Sequence, residues 1–171
     1  LVLTYVTAYQ VLHRMAAVDS GESVLVHGAA GRVGTAVLEL AAMTGARLYG
    51  TASAGDRGNV ERLGAVAIDY QSEDFVARLR QLPERGVDVV IDGLGGPLSL
   101  RSFRVLRPGG QLDRAHLGRN RLRVGRVDES GVRFPERDLG EHAAYVGLLA
   151  DAVSLQGAGG FQLLEPARRV C

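Results

Sequence analysis

The residues best placed to do chemistry are Gly31 and Gly34, in the run Ser23-Val24-Leu25-Val26-His27-Gly28-Ala29-Ala30-Gly31-Arg32-Val33-Gly34. An apolar strand enters a glycine-spaced turn there, and the apolar-periodic stretch Thr35 to Met43 follows. Gly31 lets backbone N–H groups approach a pyrophosphate, Gly34 lets the helix pack on the strand, and the helix N-terminus contributes partial positive charge to an anion. The motif reads Ala-x-Gly-x-x-Gly, with Ala29 in the first glycine's place. A purely structural turn uses the same residues, so the surrounding elements have to decide between the two readings.

Those elements alternate. Leu1 to Val18 has helical spacing; Val24–Val26 predicts a strand, Gly31–Met43 a helix closed by Gly45, and Arg47–Ala52 a second strand. Asp56–Leu63 predicts a short helix stopped by Gly64, Val66–Ile68 a third strand, and Ser72–Leu82 a helix capped by Ser72. Val87–Ile91 is nearly all β-branched, as a strand covered on both faces must be, and Gly93-Leu94-Gly95-Gly96-Pro97 turns it into a helix over about Leu98–Leu106. Pro108-Gly109-Gly110 leads toward a fifth strand, where the charges of Gln111-Leu112-Asp113-Arg114 obscure the pattern. Asp138–Leu155 regains helical spacing, and Gly157–Gly160 breaks it. The fold expected is α/β, a Rossmann-type doubly wound parallel sheet in three layers, with ligands at the carboxyl ends of the strands. The organisation expected is a linking helix over 1–20, a dinucleotide-binding domain over 21–127 and a helical C-terminal segment over 128–171.

Composition excludes several mechanisms. The chain has 171 residues, 20 basic against 19 acidic, and every basic residue is arginine, so no Walker A lysine, Schiff-base lysine or Tyr-x-x-x-Lys pair exists in it. One cysteine, Cys171, and four scattered histidines give no zinc-ligand spacing, so no metal is expected. A reducing, cytoplasmic setting is expected, with no membrane-spanning segment. Ten arginines between Arg101 and Arg137 come with only Phe103 and Phe134 for stacking, which suits a solvated face; nucleic acid is not expected as a partner. No nucleophile elbow is present, and His27 reads as a core or turn histidine. No catalytic residue is assigned.

The cofactor half of the site is more legible. Beyond the glycines, where NAD sites place an acidic residue, the chain has Thr51, Ala52 and Ser53, then Arg57. Ser53 and Arg57 are therefore expected to hold the 2′-phosphate of NADP(H), a guanidinium making two charge-assisted bonds to it; the alternative is that Arg57 is a solvated first-turn residue. Arg32 faces either the pyrophosphate or water, Tyr70 either covers the adenosine end or caps the sheet edge, and the backbone of Asp92 to Gly96, with Gly93, Leu94 and Gly95 at its centre, either lies near the nicotinamide-ribose half or satisfies the turn.

Four ordered motifs, Leu3-Thr4-Tyr5-Val6-Thr7-Ala8-Tyr9, Val26 to Gly34, Ile68-Asp69-Tyr70 and Asp88 to Gly96, followed by Leu106-Arg107-Pro108-Gly109-Gly110, resemble the zinc-independent quinone oxidoreductase branch of the medium-chain dehydrogenase/reductase superfamily. The resemblance covers about Leu1 to Gly110. It implies that Thr7 approaches the nicotinamide, Ala30, Gly31, Arg32, Val33 and Gly34 meet the pyrophosphate, Ser53 and Arg57 the 2′-phosphate, and Tyr70 the adenosine half. Arg57 stands where the family often has lysine, and Arg32 where it often has glycine. The resemblance further implies hydride transfer from NADPH to a small-molecule acceptor, a quinone or an activated alkene or carbonyl, and a preceding β-rich substrate domain not found here. A homodimer through sheet edges would be ordinary for this fold. Past Gly110 the family's apolar strand is interrupted by Asp113 and Arg114; a fragment, a divergent sequence or a shifted reading frame each accounts for that. The competing readings are a non-catalytic NADPH-sensing module and a methyltransferase, for which Leu106 to Gly110 is also suitable.

Overall fold

The computed structural model describes residues 2–114, 122–128 and 131–133. Helix α1 (Val2–Tyr9) continues as a π-helical stretch, Gln10–Met15, before β1 (Ser23–Val26). Then come α2 (Arg32–Ala42), β2 (Arg47–Ala52), a 3₁₀ turn (Ala54–Asp56), α3 (Arg57–Arg62) and β3 (Ala65–Asp69). The chain continues through α4 (Phe75–Arg80), β4 (Val87–Asp92), α5 (Pro97–Ser102), a second 3₁₀ turn (Phe103–Val105), β5 (Leu106–Arg114), β6 (Leu122–Asp128) and β7 (Gly131–Arg133).

The seven strands form one sheet in the order β3-β2-β1-β4-β5-β6-β7. The first five are parallel, as the alternating period predicts; β6 and β7 add an antiparallel hairpin at the β5 edge. Alternation within β1 divides the core between the two faces. Val24 and Val26 pack with Val11, Leu12, Val37 and Leu38, whereas Leu25 packs with Ile68, Phe75, Leu79 and Val90. Since β1 lies between β2 and β4, its carboxyl end is the point where the winding direction reverses, and a crevice opens there.

Three sequence expectations shift. The cap of α4 is Asp74, whose carboxylate accepts from the Val76 N–H at 2.9 Å; the Ser72 hydroxyl instead donates to Asp69 at 2.7 Å. Helix α5 stops at Ser102, and Leu106 is the first residue of β5, opposite Val87. The fifth strand exists despite its charges, because the register jumps from Val87↔Leu106 to Val89↔Gln111 and Pro108-Gly109-Gly110 is absorbed as an irregularity. Gly110 lies so close to β4 that a Cβ would stand 2.9 Å from the Asp88 carbonyl oxygen. Asp113 is fully buried in that strand, and the Gln111 side-chain amide donates to the Ala16 carbonyl. The expected helix over Asp138–Leu155 and the break at Gly157–Gly160 lie outside the described residues.

The amino ends of β1 and β4 are joined by Asp88, whose carboxylate accepts from both the backbone N–H and the hydroxyl of Ser23 at 2.8 Å and pairs with Arg107. That joint leaves the opposite, carboxyl edge of the sheet to the site.

Candidate nucleotide-binding site

Along the carboxyl edge, four neighbouring strands present the predicted residues in a row: Tyr70 after β3, Ser53 after β2, the glycine turn after β1, and Gly93-Leu94-Gly95 after β4. Four strands spaced by about 4.8 Å span about 14 Å, room for an extended two-part ligand lying across their ends.

At the centre of the row, Gly28 takes φ +63, Gly31 stands as the N-cap of α2, and the first turn of that helix has neither a side-chain cap nor an acidic residue. Its N-terminal N–H groups and dipole therefore face outward, free of competing intramolecular anions. Gly34 is obligatory: a Cβ would meet the Gly28 carbonyl oxygen at 2.3 Å and the Ala29 Cα at 2.8 Å, both backbone atoms. Ala29 replaces the usual first glycine because β2 makes room for it. Gly50 lies beside it, and a Cβ on Gly50 would stand 2.6 Å from the Ala29 methyl.

The turn and the β4 loop enclose a cleft of about 290 Å³. Gly31, Val33 and Gly34 line one side and Gly93 and Leu94 the other, so these five expected residues come together. Arg32 is exposed at the first position of α2, and Ala30 is half-buried in the turn. Gly95 is buried, takes φ +75, and donates its N–H to Asp92 at 3.0 Å. Thr7 is buried in α1, with its hydroxyl donating to the Leu3 carbonyl at 2.9 Å; it is not among the residues lining the cleft.

At the β2 end, Ser53 donates its hydroxyl to Asp56 at 2.7 Å, and Arg57 pairs with Glu61 at 3.0 Å and with Glu73 at 3.6 Å. Asp56 is a carboxylate that strand-end spacing does not reveal; the 3₁₀ turn brings it back onto Ser53. Tyr70 is 58% exposed, and its N–H donates to the Ala52 carbonyl at 3.2 Å.

Three residues hold the turns of the site in place; the sequence placed the Asp92 backbone near it but gave Thr51 and His27 no role there. Asp92, fully buried at the end of β4, accepts from the N–H of Leu94 at 2.8 Å and of Gly95, and from the Ser99 hydroxyl. Thr51 accepts from the Gly28 N–H at 3.2 Å and contacts His27 Nδ1 at 3.1 Å. His27 is buried, edge-on to Phe75, with Nε2 2.8 Å from the Ser102 hydroxyl. Burial lowers its pKa from 6.5 to about 4; the Asp92 carboxylate opposes that fall and the Arg101 guanidinium adds to it. The ring is neutral at physiological pH. The spacing of Thr51 and Ser102 from His27 in sequence carries no local pattern, so only the fold could have revealed this group.

Among the described residues no cluster of three or more His, Cys, Asp or Glu side chains is placed to hold a metal ion, and no helix is long and apolar enough to cross a membrane. The uncapped α2 terminus and the backbone-tight Gly34 fit a nucleotide pyrophosphate; nothing in the described residues fits a metal.

Comparison with known proteins agrees with the geometry. The sequence model of the zinc-binding dehydrogenase family matches residues 33–113. The human synaptic vesicle membrane protein VAT-1 homolog is 37% identical over 114 residues, which are 66% of this chain and 29% of that protein, so the chain spans less than a third of this curated relative. Among solved structures, a putative enoyl reductase domain of a polyketide synthase is 31% identical, with 90% of each chain covered and a TM-score of 0.62. Escherichia coli quinone oxidoreductase complexed with NADPH is 31% identical over 69% of this chain and 39% of that one, with a TM-score of 0.61. A five-stranded parallel sheet reversing at β1, a glycine turn feeding an uncapped helix, and a near-complete match to an enoyl reductase domain together place this chain in the medium-chain dehydrogenase/reductase superfamily, as a quinone oxidoreductase-like nucleotide-binding domain.

Proposed function

We propose that the chain is the NADP(H)-binding part of an oxidoreductase that passes hydride from NADPH to a quinone or to an activated alkene or carbonyl. The observation carrying the reading is the uncapped N-terminus of α2 behind Gly31, at the strand-order reversal, in line with Ser53 on one side and Gly93 on the other. In this assignment the backbone from Ala30 to Gly34 and the Arg32 guanidinium hold the pyrophosphate. Ser53 and Arg57 hold the 2′-phosphate, Tyr70 covers the adenosine, and Gly93 to Gly95 lie along the nicotinamide ribose. The nicotinamide supplies the hydride, so the chain's own task is binding, orientation and exclusion of water. Zinc has no part in this assignment. A small-molecule electron acceptor, a cytoplasmic setting and a homodimer through a sheet edge complete the proposal.

A second reading, NADH in place of NADPH, has one observation in its favour: Asp56 already occupies Ser53, as an acidic group for a ribose hydroxyl would. Titration of the chain with NADPH, NADH and S-adenosylmethionine, followed by nicotinamide fluorescence and thermal shift, separates these ligands. NADPH preferred over NADH supports the proposal; NADH preferred moves the assignment to Asp56; S-adenosylmethionine alone, or no binding by a folded chain, overturns it. Arg57→Ala should weaken NADPH at least tenfold and NADH little, since a charge-assisted phosphate contact is worth about 1.5–3 kcal/mol. Equal losses for both cofactors would remove Arg57 from the site.

A further inference from the structure

Two cofactor-facing turns, after β1 and after β4, are tied to the same short helix, α5. The β4 loop is fixed by Asp92, which accepts from the N–H groups of Leu94 and Gly95 and from the hydroxyl of Ser99 on α5. The glycine turn is fixed by a second route. The Ser102 hydroxyl donates its one hydrogen to the Leu98 carbonyl at 2.8 Å, so toward His27 it can only accept, and Nε2 must carry the imidazole proton. Nδ1 is then an acceptor for the Thr51 hydroxyl at 3.1 Å, which leaves the Thr51 oxygen to accept the Gly28 N–H at 3.2 Å. Each donor is used once, and the polarity runs without a break from the turn to α5.

Ser99 and Ser102 are three residues apart, on one face of α5, and both are fully buried. The two turns meet directly as well: the Leu94 side chain lies 3.6 Å from where a Cβ on Gly28 would stand, across the mouth of the cleft. We infer that Thr51, His27 and Ser102 are positioning residues, a hydrogen-bond chain through which α5 sets the separation of the two turns that grip a dinucleotide. The inference rests on the dinucleotide reading above. His27 is among the residues lining the cleft, whereas Thr51 and Ser102 are not and act through it; a shift of α5 moves both turns together.

The test is a double-mutant cycle on the 171-residue chain, read as the dissociation constant for NADPH. Thr51→Val keeps the β-branched shape and removes the hydroxyl, and Ser102→Ala removes the acceptor at the other end. Each should weaken NADPH about tenfold, the double variant should be no weaker than either single, and Thr51→Ser should restore binding, because residues acting through one network couple strongly. Losses that multiply to about a hundredfold in the double variant, or unchanged affinity in both singles, would overturn the inference. Nitrogen-15 NMR of the unmodified chain gives a readout independent of folding in the variants: His27 should appear as a single Nε2–H tautomer from pH 6 to 8, and a mixture of tautomers would break the chain of donors. If the unmodified chain binds no NADPH, the dinucleotide reading falls and this inference with it; binding with multiplicative losses overturns this inference alone.

Discussion

Acid should weaken this fold through one histidine, by an amount the structure allows to be worked out. His27 is buried, hydrogen-bonded to Thr51 and Ser102, and has its pKa lowered from 6.5 to about 4, chiefly by burial. The charged groups bearing on it are Asp92, at the end of β4, which favours protonation, and Arg101 on α5, which opposes it. In the unfolded chain the ring takes a proton near pH 6.5, whereas in the folded chain it resists until about pH 4. The unfolded state therefore binds more protons between those values, and stability falls as the pH drops through that window. The contribution is fully present above pH 6.5, and a fall of about 2.5 in pKa corresponds to about 3 kcal/mol lost by pH 4. Urea unfolding of the native chain and of His27→Gln, at half-unit steps from pH 7.5 to 4.5, isolates it. Asp69 and Glu84, whose carboxyls are held low by hydrogen bonds from Ser72 and Arg47, also lose stability in acid, but they do so equally in both proteins. The native chain should lose about 1.2 kcal/mol per pH unit more than His27→Gln between pH 6 and 4.5. Parallel pH dependences for the two proteins would refute a neutral, buried imidazole.

Packing and capping give further checks. Gly50→Ala drives a methyl to within 2.6 Å of Ala29 and 2.9 Å of Val60, and should cost about 1–3 kcal/mol in chemical denaturation. Adding Ala29→Gly should recover part of that loss, whereas a purely additive double variant would show that the two do not share the space. Asp74→Ala should cost about 1 kcal/mol as the loss of an N-cap, and Ser72→Ala less; the reverse order in the same unfolding assay would return the cap to Ser72.

The parallel sheet was legible because buried strands and glycine punctuation are local properties: Arg47–Ala52 has the same bounds in sequence and structure, and β1 and β4 differ from expectation by one residue each. The fifth strand was not, because its continuity depends on a register jump against β4 that brings Gln111 opposite Val89, and on a core that encloses Asp113. Neither can be read from alternation along one segment. Similarly, Gly31 and Gly34 declared the tight turn into α2, but the reason Ala29 is tolerated lies on another strand, at Gly50.

By itself, the sequence determined the first four strands and the helices between them to within a few residues, where the glycine turn lies, and which chemistries an arginine-only, single-cysteine chain lacks. These follow from residue type and short-range periodicity, which act within a few residues of chain. Only the tertiary structure decided that Asp56 reaches Ser53, that Asp92 organises the β4 loop, and that Thr51, His27 and Ser102 join the glycine turn to α5. His27 and Ser102 lie 75 residues apart in sequence and 2.8 Å apart in space, a pairing created by the crossover that sets β4 beside β1. Hydrogen-bond partners at such separations are chosen by how the strands are ordered in the sheet, and strand order is a property of the whole chain rather than of any segment within it.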